Sequence, residues 1–417
     1  MKWPTDFRGR LFLIFSGVMA IPLLLTLWTV VSSLTGGVRD DTLGQLQFIR
    51  DAKQAEVDQY LTFSLRQAES LTTSSALRYS IGDFYGFSYA FRMIDPSGDA
   101  AQRVLQVAFS AQERTEAVER GRAGGTLLRE APEYANAHDR FHEDFLTFIK
   151  TSEFDNLYLV NRDGRVVYSV AKDAYIGADV GGTLSSTPLG QLTSDVLNGT
   201  SDARILVLDF TRDPVTRSFS AYVGIRINLH GRTRGLAIFR LPAEAVGEVV
   251  QGQSGSGAPA KLFLTSSHGA LISGPPDAAL VPGDERLATI SGLPGHASDF
   301  LDVGSDGKPA LAAWTSIPYG DVGWHLTAEM PAQKAFAKTD ALTRFVALLA
   351  AASLPLIFVI ALLLSRKISA SLGKLADAAE ALADGALDVD VPKIARPDEL
   401  ARLTSSFSRM RTAIRDH

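Results

Sequence analysis

Cysteine is missing from all 417 residues, which removes disulfides, thiolate nucleophiles and Cys-ligated zinc or iron–sulfur centres together. A concentrated Lys/Arg face is missing too. With a formal net charge of −5, no nucleic-acid partner is expected. Catalytic signatures are equally scarce: there is no G-x-S-x-G elbow, and seven scattered histidines assemble no Ser/His/Asp set. The stretch GQSGSGAP, Gly252–Pro259, lacks the glycine spacing and Lys-Ser/Thr ending of a phosphate-binding loop, and reads as a flexible joint. Binding rather than turnover is therefore expected, with no enzyme activity, no cofactor and no metal. His138 and His142 lie four apart beside Glu143 on a predicted helix, a spacing that can put two imidazoles on one face. No Glu follows His138 as HExxH requires, and both are read as solvated helix residues.

Charge is absent from two long runs. Leu11–Leu34 holds 24 residues without an ionisable side chain, a helix of roughly 36 Å, and Phe345–Ser365 holds 21, or roughly 32 Å. Both lengths suit a bilayer. A signal peptide is the competing reading of the first run, but it is longer than a usual h-region and has no clear small-residue cleavage pattern. Lys2, Arg8 and Arg10 precede the first run and Arg366 and Lys367 follow the second, so the positive-inside rule puts both termini in the cytoplasm and residues 35–344 outside. Neither run carries the intramembrane polar groups that mark an ion path, which sets a pore or transporter aside.

The outer block changes texture along its length. Apolar residues at Leu43, Leu46, Ile49, Val57, Leu61, Leu65 and Ala68 recur mostly at spacings of three and four, which predicts a long helix leaving the membrane. Helical pattern returns at 101–119 and 134–150, and aromatic residues cluster at Phe84, Tyr85, Phe87, Tyr89 and Phe91, where core packing is the expected role. Short β-type runs follow at 156–161, 165–171, 203–210, 219–228 and 233–240, the first pair joined by a turn at Asn161-Arg162-Asp163-Gly164. After the Gly/Ser joint a shorter second set is expected at 261–265, 270–273, 297–303, 310–316 and 324–330, with Ser305-Asp306-Gly307 as its turn.

The run NLYLVNRDGRVVYSVAKDAYIGADV, Asn156–Val180, behind a membrane-emergent helix and ahead of GWHLTAEMPAQKAF, Gly323–Phe336, resembles the double Cache domain of bacterial chemoreceptors and sensor kinases. The resemblance implies an α+β fold: a long stalk helix carrying two stacked Cache-type (PAS-like) antiparallel-sheet modules, a distal one at about 70–250 that holds a small-molecule ligand and a proximal one at about 258–332. Amino-acid-binding members tend to carry an Asp at the end of the last distal strand. Here that end reads Phe239-Arg240-Leu241-Pro242, and the distal half has no Trp, which argues against an amino-acid ligand. Candidate ligand contacts are Arg78, Arg92, Tyr168, Asp209 and Tyr222, charged or hydroxyl groups near a sheet face that can fix a polar ligand.

The tail, 366–417, has the sharpest periodicity in the chain. Ile368, Leu372, Leu375, Ala379 and Leu382 are spaced 4, 3, 4, 3, and Leu400, Leu403, Phe407, Met410 and Ile414 are spaced 3, 4, 3, 4. Gly385 stops the first helix, and Pro397-Asp398-Glu399 opens the second with acids at its positive end. Placed behind a membrane span, this pattern resembles a HAMP domain, with Gly385, Asp398, Glu399, Phe407 and Met410 as its signal-relay positions. The resemblance implies a parallel four-helix bundle shared by two identical chains. Short helices with an apolar seam also need a partner on physical grounds, so a homodimer is expected. The chain reaches His417 where a HAMP domain hands over to an output module, so either a truncated product or a separate downstream partner is expected. Together these readings describe a two-pass sensor of a bacterial inner membrane, of the methyl-accepting chemotaxis type. The alternative is the sensor portion of a histidine kinase or a diguanylate cyclase.

Overall fold

The computed structural model describes residues 7–109, 125–197, 203–252, 260–276, 278, 280–285, 295–384 and 399–415. The chain divides into two compact units, Arg39–Ala335 and a second built from Met1–Val38 with Phe336–His417.

Helix α1 runs over Phe7–Thr73, 67 residues, and its second half is the spine of the Arg39–Ala335 unit. Leu46, Val57, Leu61 and Ala68 are fully buried there, a single apolar stripe of helical period. Polar anchors accompany the stripe: Arg50 Nη1 donates to the Ala297 carbonyl at 2.9 Å, and Lys53 Nζ donates to that of Val249 at 3.1 Å. Short helices α2 (Ser75–Ser80), α3 (Phe87–Ile94), α4 (Asp99–Ala108), α5 (Gly125–Glu130) and the longer α6 (Pro132–Thr151) follow. Pro132 opens α6 at a position whose N–H would be unpaired anyway.

The first sheet contains β1 (Asn156–Asn161), β2 (Val166–Ser169), β3 (Ile205–Arg212), β4 (Phe219–Leu229) and β5 (Arg232–Pro242), antiparallel in the order β2-β1-β5-β4-β3. Helix α7 (Pro188–Leu197) lies between β2 and β3, and α8 (Ala243–Gln251) follows β5. The second sheet repeats the order as β7-β6-β10-β9-β8, from β6 (Lys261–Thr265), β7 (Leu271–Ser273), β8 (Ala297–Leu301), β9 (Ala310–Tyr319) and β10 (Val322–Pro331). All ten strands among the described residues fall where the sequence predicts them, and the two sheets share one strand order. The predicted helix at 101–119 is described only as far as Ala108, and the joint at 253–259 lies outside the described residues.

Both faces of the first sheet are covered, so its strands are buried throughout β1 and β2 rather than alternating with solvent. Register assigns the faces. Tyr158 pairs with Ile238 and Tyr222 with Arg240, and these face the segment after β2 and α7. Leu157, Leu159 and Phe239 take the other face, where Phe148, Phe154 and Phe239 pack ring against ring at 5.2–6.5 Å. Of the aromatic cluster ahead of the sheet, Phe87 and Phe91 enter the core as expected. Phe84 and Tyr85 do not, at 78% and 72% exposure.

In the other unit, helices α1 and α9 (Ala332–Ala383) are both long and apolar enough to cross a membrane. They touch through Phe12 and Phe358, 6.1 Å between rings, and through the Ser365 hydroxyl, which donates to the Arg8 carbonyl at 2.7 Å. Leu13, Ile14, Val18, Leu348, Phe358 and Leu363 remain exposed, an apolar surface of the kind a bilayer would cover. Helix α10 (Glu399–Arg415) carries the second heptad pattern.

Candidate functional site

A buried polar cluster sits on the first sheet's Tyr158 face, and Asn156 at the start of β1 organises it. Its carboxamide oxygen accepts from the Ala171 amide at 2.9 Å, while Nδ2 donates to Ser169 Oγ at 3.1 Å and Asp173 Oδ2 at 3.0 Å. This fastens the segment after β2 so that Asp173 meets the sheet. Tyr158 Oη donates to Asp173 Oδ2 at 2.6 Å, and Arg240 Nη1 donates to Tyr158 Oη at 3.2 Å while its Nε holds Asp155 at 2.7 Å. The second carboxylate comes from beyond β3. Asp213 is fully buried and accepts from Tyr175 Oη on Oδ1 and from Tyr222 Oη on Oδ2, both at 2.8 Å. Its Oδ1 also accepts the Val215 amide at 2.8 Å, a local turn that aims the side chain inward.

Burial pushes the Asp173 carboxyl up from the usual carboxylate range, against the pull of the Tyr158 hydrogen bond and the Arg240 charge. Burial and the neighbouring carboxylates push Tyr158, Tyr175 and Tyr222 well up, so all three hydroxyls remain protonated donors. The cluster thus sets three carboxylates, Asp155, Asp173 and Asp213, against one guanidinium, Arg240. Chemically it is a cation-accepting site with a single anion-accepting corner, its acceptors held by phenol donors that a ligand ammonium can replace.

The chain between Tyr168 and Asp173 crosses from one face of the sheet to the other. Tyr168 pairs with Leu159 and so faces the helices, where its hydroxyl meets His142 Nδ1 at 2.6 Å. Lys172, at φ +50°, is fully buried among the same helices, its Nζ donating to the Ser169 carbonyl at 2.7 Å and lying 4.0 Å from the Tyr168 ring centre. The sequence reading of His138 and His142 as solvated is corrected here. Both are fully buried, stacked at 4.3 Å, because α6 turns this face onto Phe109, Tyr168 and Lys172 rather than to solvent. Burial holds the His138 imidazole and the Lys172 amine well below their ordinary values. No cluster of three or more His, Asp or Glu with metal-ligand geometry occurs among the described residues.

Of the five candidate contacts, Tyr222 alone joins the Asp173–Asp213 cluster. Tyr168 lies across the sheet, and Arg78 is exposed on α2. Arg92 lines a separate surface cavity with Asp83. Asp209 ties the two modules together, accepting from Trp324 Nε1 at 2.7 Å and from the Ser267 amide and hydroxyl at 2.9 and 2.5 Å. Sequence reasoning missed Tyr158, Asp173, Tyr175, Asp213 and Arg240. The one available signal was Arg240, a charge standing inside an otherwise apolar strand. In the tail, Gly385 and Asp398 lie outside the described residues, Glu399 opens α10, Phe407 is half-buried and Met410 is 48% exposed.

Two modules of one sheet order on a long helix, joined to two membrane-length helices and a helical tail, resemble the double Cache architecture of membrane-anchored sensors. The tail is a HAMP domain, matched over residues 363–416. The transducer protein BasT of Halobacterium salinarum is 36% identical over 107 residues, 26% of this chain, and the chain spans 13% of the length of that relative. Similar solved structures include the ligand-binding domain of the Pseudomonas aeruginosa PAO1 amino acid chemoreceptor PctC in complex with GABA, at 14% identity over 70% of this chain and 100% of that one, TM-score 0.40. Another is the ligand-binding domain of the Campylobacter jejuni chemoreceptor Tlp3 in complex with 4-methylisoleucine, at 12% identity over 72% and 94%, TM-score 0.41.

Proposed function

We propose that this chain is the input and relay portion of a chemotaxis-type transmembrane receptor. The Arg39–Ala335 unit faces the outside, both termini are cytoplasmic, and two copies share one HAMP bundle that hands the signal to a downstream module or partner. The ligand is a small amine-bearing metabolite. Its ammonium replaces tyrosine donors on Asp173 and Asp213, and a carboxylate, where present, meets Arg240.

The observation that supports this reading is the pairing of fully buried Asp213 with largely enclosed Asp173 in the module farther along the chain from the HAMP domain. Burying charge against so few countercharges is costly, and an arriving cation relieves that cost. Binding that differs between two arrangements of the segment after β2 would then bias the two states of the relay. The sequence departure at Arg240 argued against an amino-acid ligand. The carboxylates it missed there are supplied from Asp173 and Asp213 instead, so amine-bearing ligands return to the candidates.

The test is thermal unfolding of the full chain in nanodiscs against amino acids, polyamines and matched carboxylates without an amine. Amines should raise the midpoint, as any ligand of the folded state does, and Asp213→Asn should remove the rise. Shifts from amine-free carboxylates alone, or amine shifts unchanged in Asp213→Asn, would overturn the proposal.

A further inference from the structure

A second site of opposite character lies apart from the tyrosine cluster. A surface cavity of about 380 Å³ is lined by Arg92 of α3, Arg162 of the β1–β2 turn and Arg234 of β5, with Asp83, Asp163 and Ser88. Three guanidiniums meet two carboxylates, and both carboxylates are already engaged. Asp83 pairs closely with Arg234 and lies 3.8 Å from Arg92, while Asp163 accepts from the Asn161 carboxamide within its own turn at 3.2 Å.

What remains unsatisfied can donate. Ser88 is 3% exposed and its hydroxyl has no hydrogen-bond partner among the described residues, and the buried Nε of Arg234 has none either. Buried polar atoms without partners are uncommon; the Arg234 Nε–H calls for an acceptor, and the Ser88 hydroxyl can donate to the same one. Ser88 is also in the first turn of α3, whose free amides carry the positive end of the helix. Arg92 follows Ser88 by four residues, so both sit on one side of that helix. Arg162 is exposed and is held by no ion pair among the described residues.

We propose that this cavity binds a polyatomic oxyanion, a carboxylate or a phosphate group. Arg162 and Arg92 supply paired N–H donors, Ser88 and Arg234 Nε supply the single ones, and Asp83 keeps Arg234 aimed. The fork of a guanidinium matches two oxygens of such a group, which a monatomic ion cannot offer. The site draws on three elements remote in sequence, so an anion here would tie α3 to the ends of β1 and β5.

The full chain in nanodiscs is titrated with inorganic phosphate and with succinate, against sodium chloride at matched ionic strength, and read by calorimetry and by unfolding midpoint. A saturable signal from either oxyanion above chloride is expected, and the one that binds more tightly names the group. Arg162→Gln and Ser88→Ala should each weaken that binding, Arg162→Gln by about tenfold or more, since a charge-assisted pair is lost. Both are local changes, at an exposed side chain and a single hydroxyl, and circular dichroism confirms folding in each. A signal no larger than that of chloride, or one equally strong in both variants, would overturn the proposal.

Discussion

Lys172 shows how a single side chain can set a pH dependence. Its amine is wholly buried beside His138, His142, Tyr168 and Phe109, and burial lowers its pKa well below the ordinary lysine value. Above the folded pKa the folded chain holds the amine neutral, whereas the unfolded chain stays protonated up to about pH 10.4. The unfolded state then binds more protons, so stability rises with pH across that window, by up to about 1.4 kcal/mol per pH unit. Lys172→Met removes the titration while keeping the bulk. The variant should be more stable than wild type near neutrality, with the difference narrowing toward pH 9.5 or so. Parallel stability profiles for the two proteins would remove Lys172 as the cause. Legibility at this scale was uneven for a physical reason. Tyr222 was picked from the sequence as a hydroxyl near a sheet face, but the same pattern at Tyr158 was not, because alternation alone does not say which face meets the carboxylates. Asp173 and Asp213 lie in irregular segments, and only the Asn156 hydrogen bonds and the turn at Val215 bring them to Tyr158 and Tyr222.

At the scale of elements the sequence was far more informative, since alternation and turn chemistry are local. The β1–β2 hairpin was read from Asp163-Gly164, and Gly164 does take φ +75°. The reading did not reveal why glycine is needed twice over. A Cβ at Gly164 would lie 2.6 Å from the Gly181 Cα, because the segment after β2 folds back across the turn, and Val180 and Gly181 both donate to the Gly164 carbonyl at 2.9 Å. Gly164→Ala therefore meets both backbone strain and a backbone clash, and should cost about 2 kcal/mol or more in chemical denaturation. Gly307 offers the control. Its φ is +76° but nothing stands within 4 Å of an added Cβ, so Gly307→Ala should cost about 1 kcal/mol. Equal losses at the two positions would mean that the Gly181 approach contributes nothing.

At the scale of the whole Arg39–Ala335 unit, the join between modules was the least legible feature, because Asp209 read from the sequence as a ligand contact rather than as a join. It accepts three hydrogen bonds from Ser267 and Trp324, and the Phe210 ring packs at a tilt on Trp324 with 5.0 Å between centres, so two neighbouring residues of β3 fasten the first sheet to the second. Asp209→Ala leaves the Trp324 indole and the Ser267 amide without their acceptor, at a cost of about 2–3 kcal/mol. A single unfolding transition in wild type should become broader or divide in two as the modules uncouple. A variant that melts as one sharp transition at the wild-type midpoint would show that other contacts carry the join.

The missing cysteine makes the relay directly testable on the same scale. Leu403 and Met410 lie in the heptad seam of α10, and both are about half exposed in a single chain, at 49% and 48%. A seam left open in this way is what a second copy would cover in a parallel bundle. Two-fold symmetry then places Leu403 opposite its own twin, whereas Ser405, two positions on, points away from the seam. Because no native thiol competes, Leu403→Cys should form a disulfide-linked dimer under mild oxidation in membranes, and Ser405→Cys should form little. An amine that raises the unfolding midpoint should change the rate of Leu403 cross-linking without moving the Ser405 background, since a repacked bundle changes the seam distance. Equal cross-linking at both positions would reject the parallel seam. A rate at Leu403 that ignores a ligand shown to bind would reject the coupling of the tyrosine cluster to the HAMP domain.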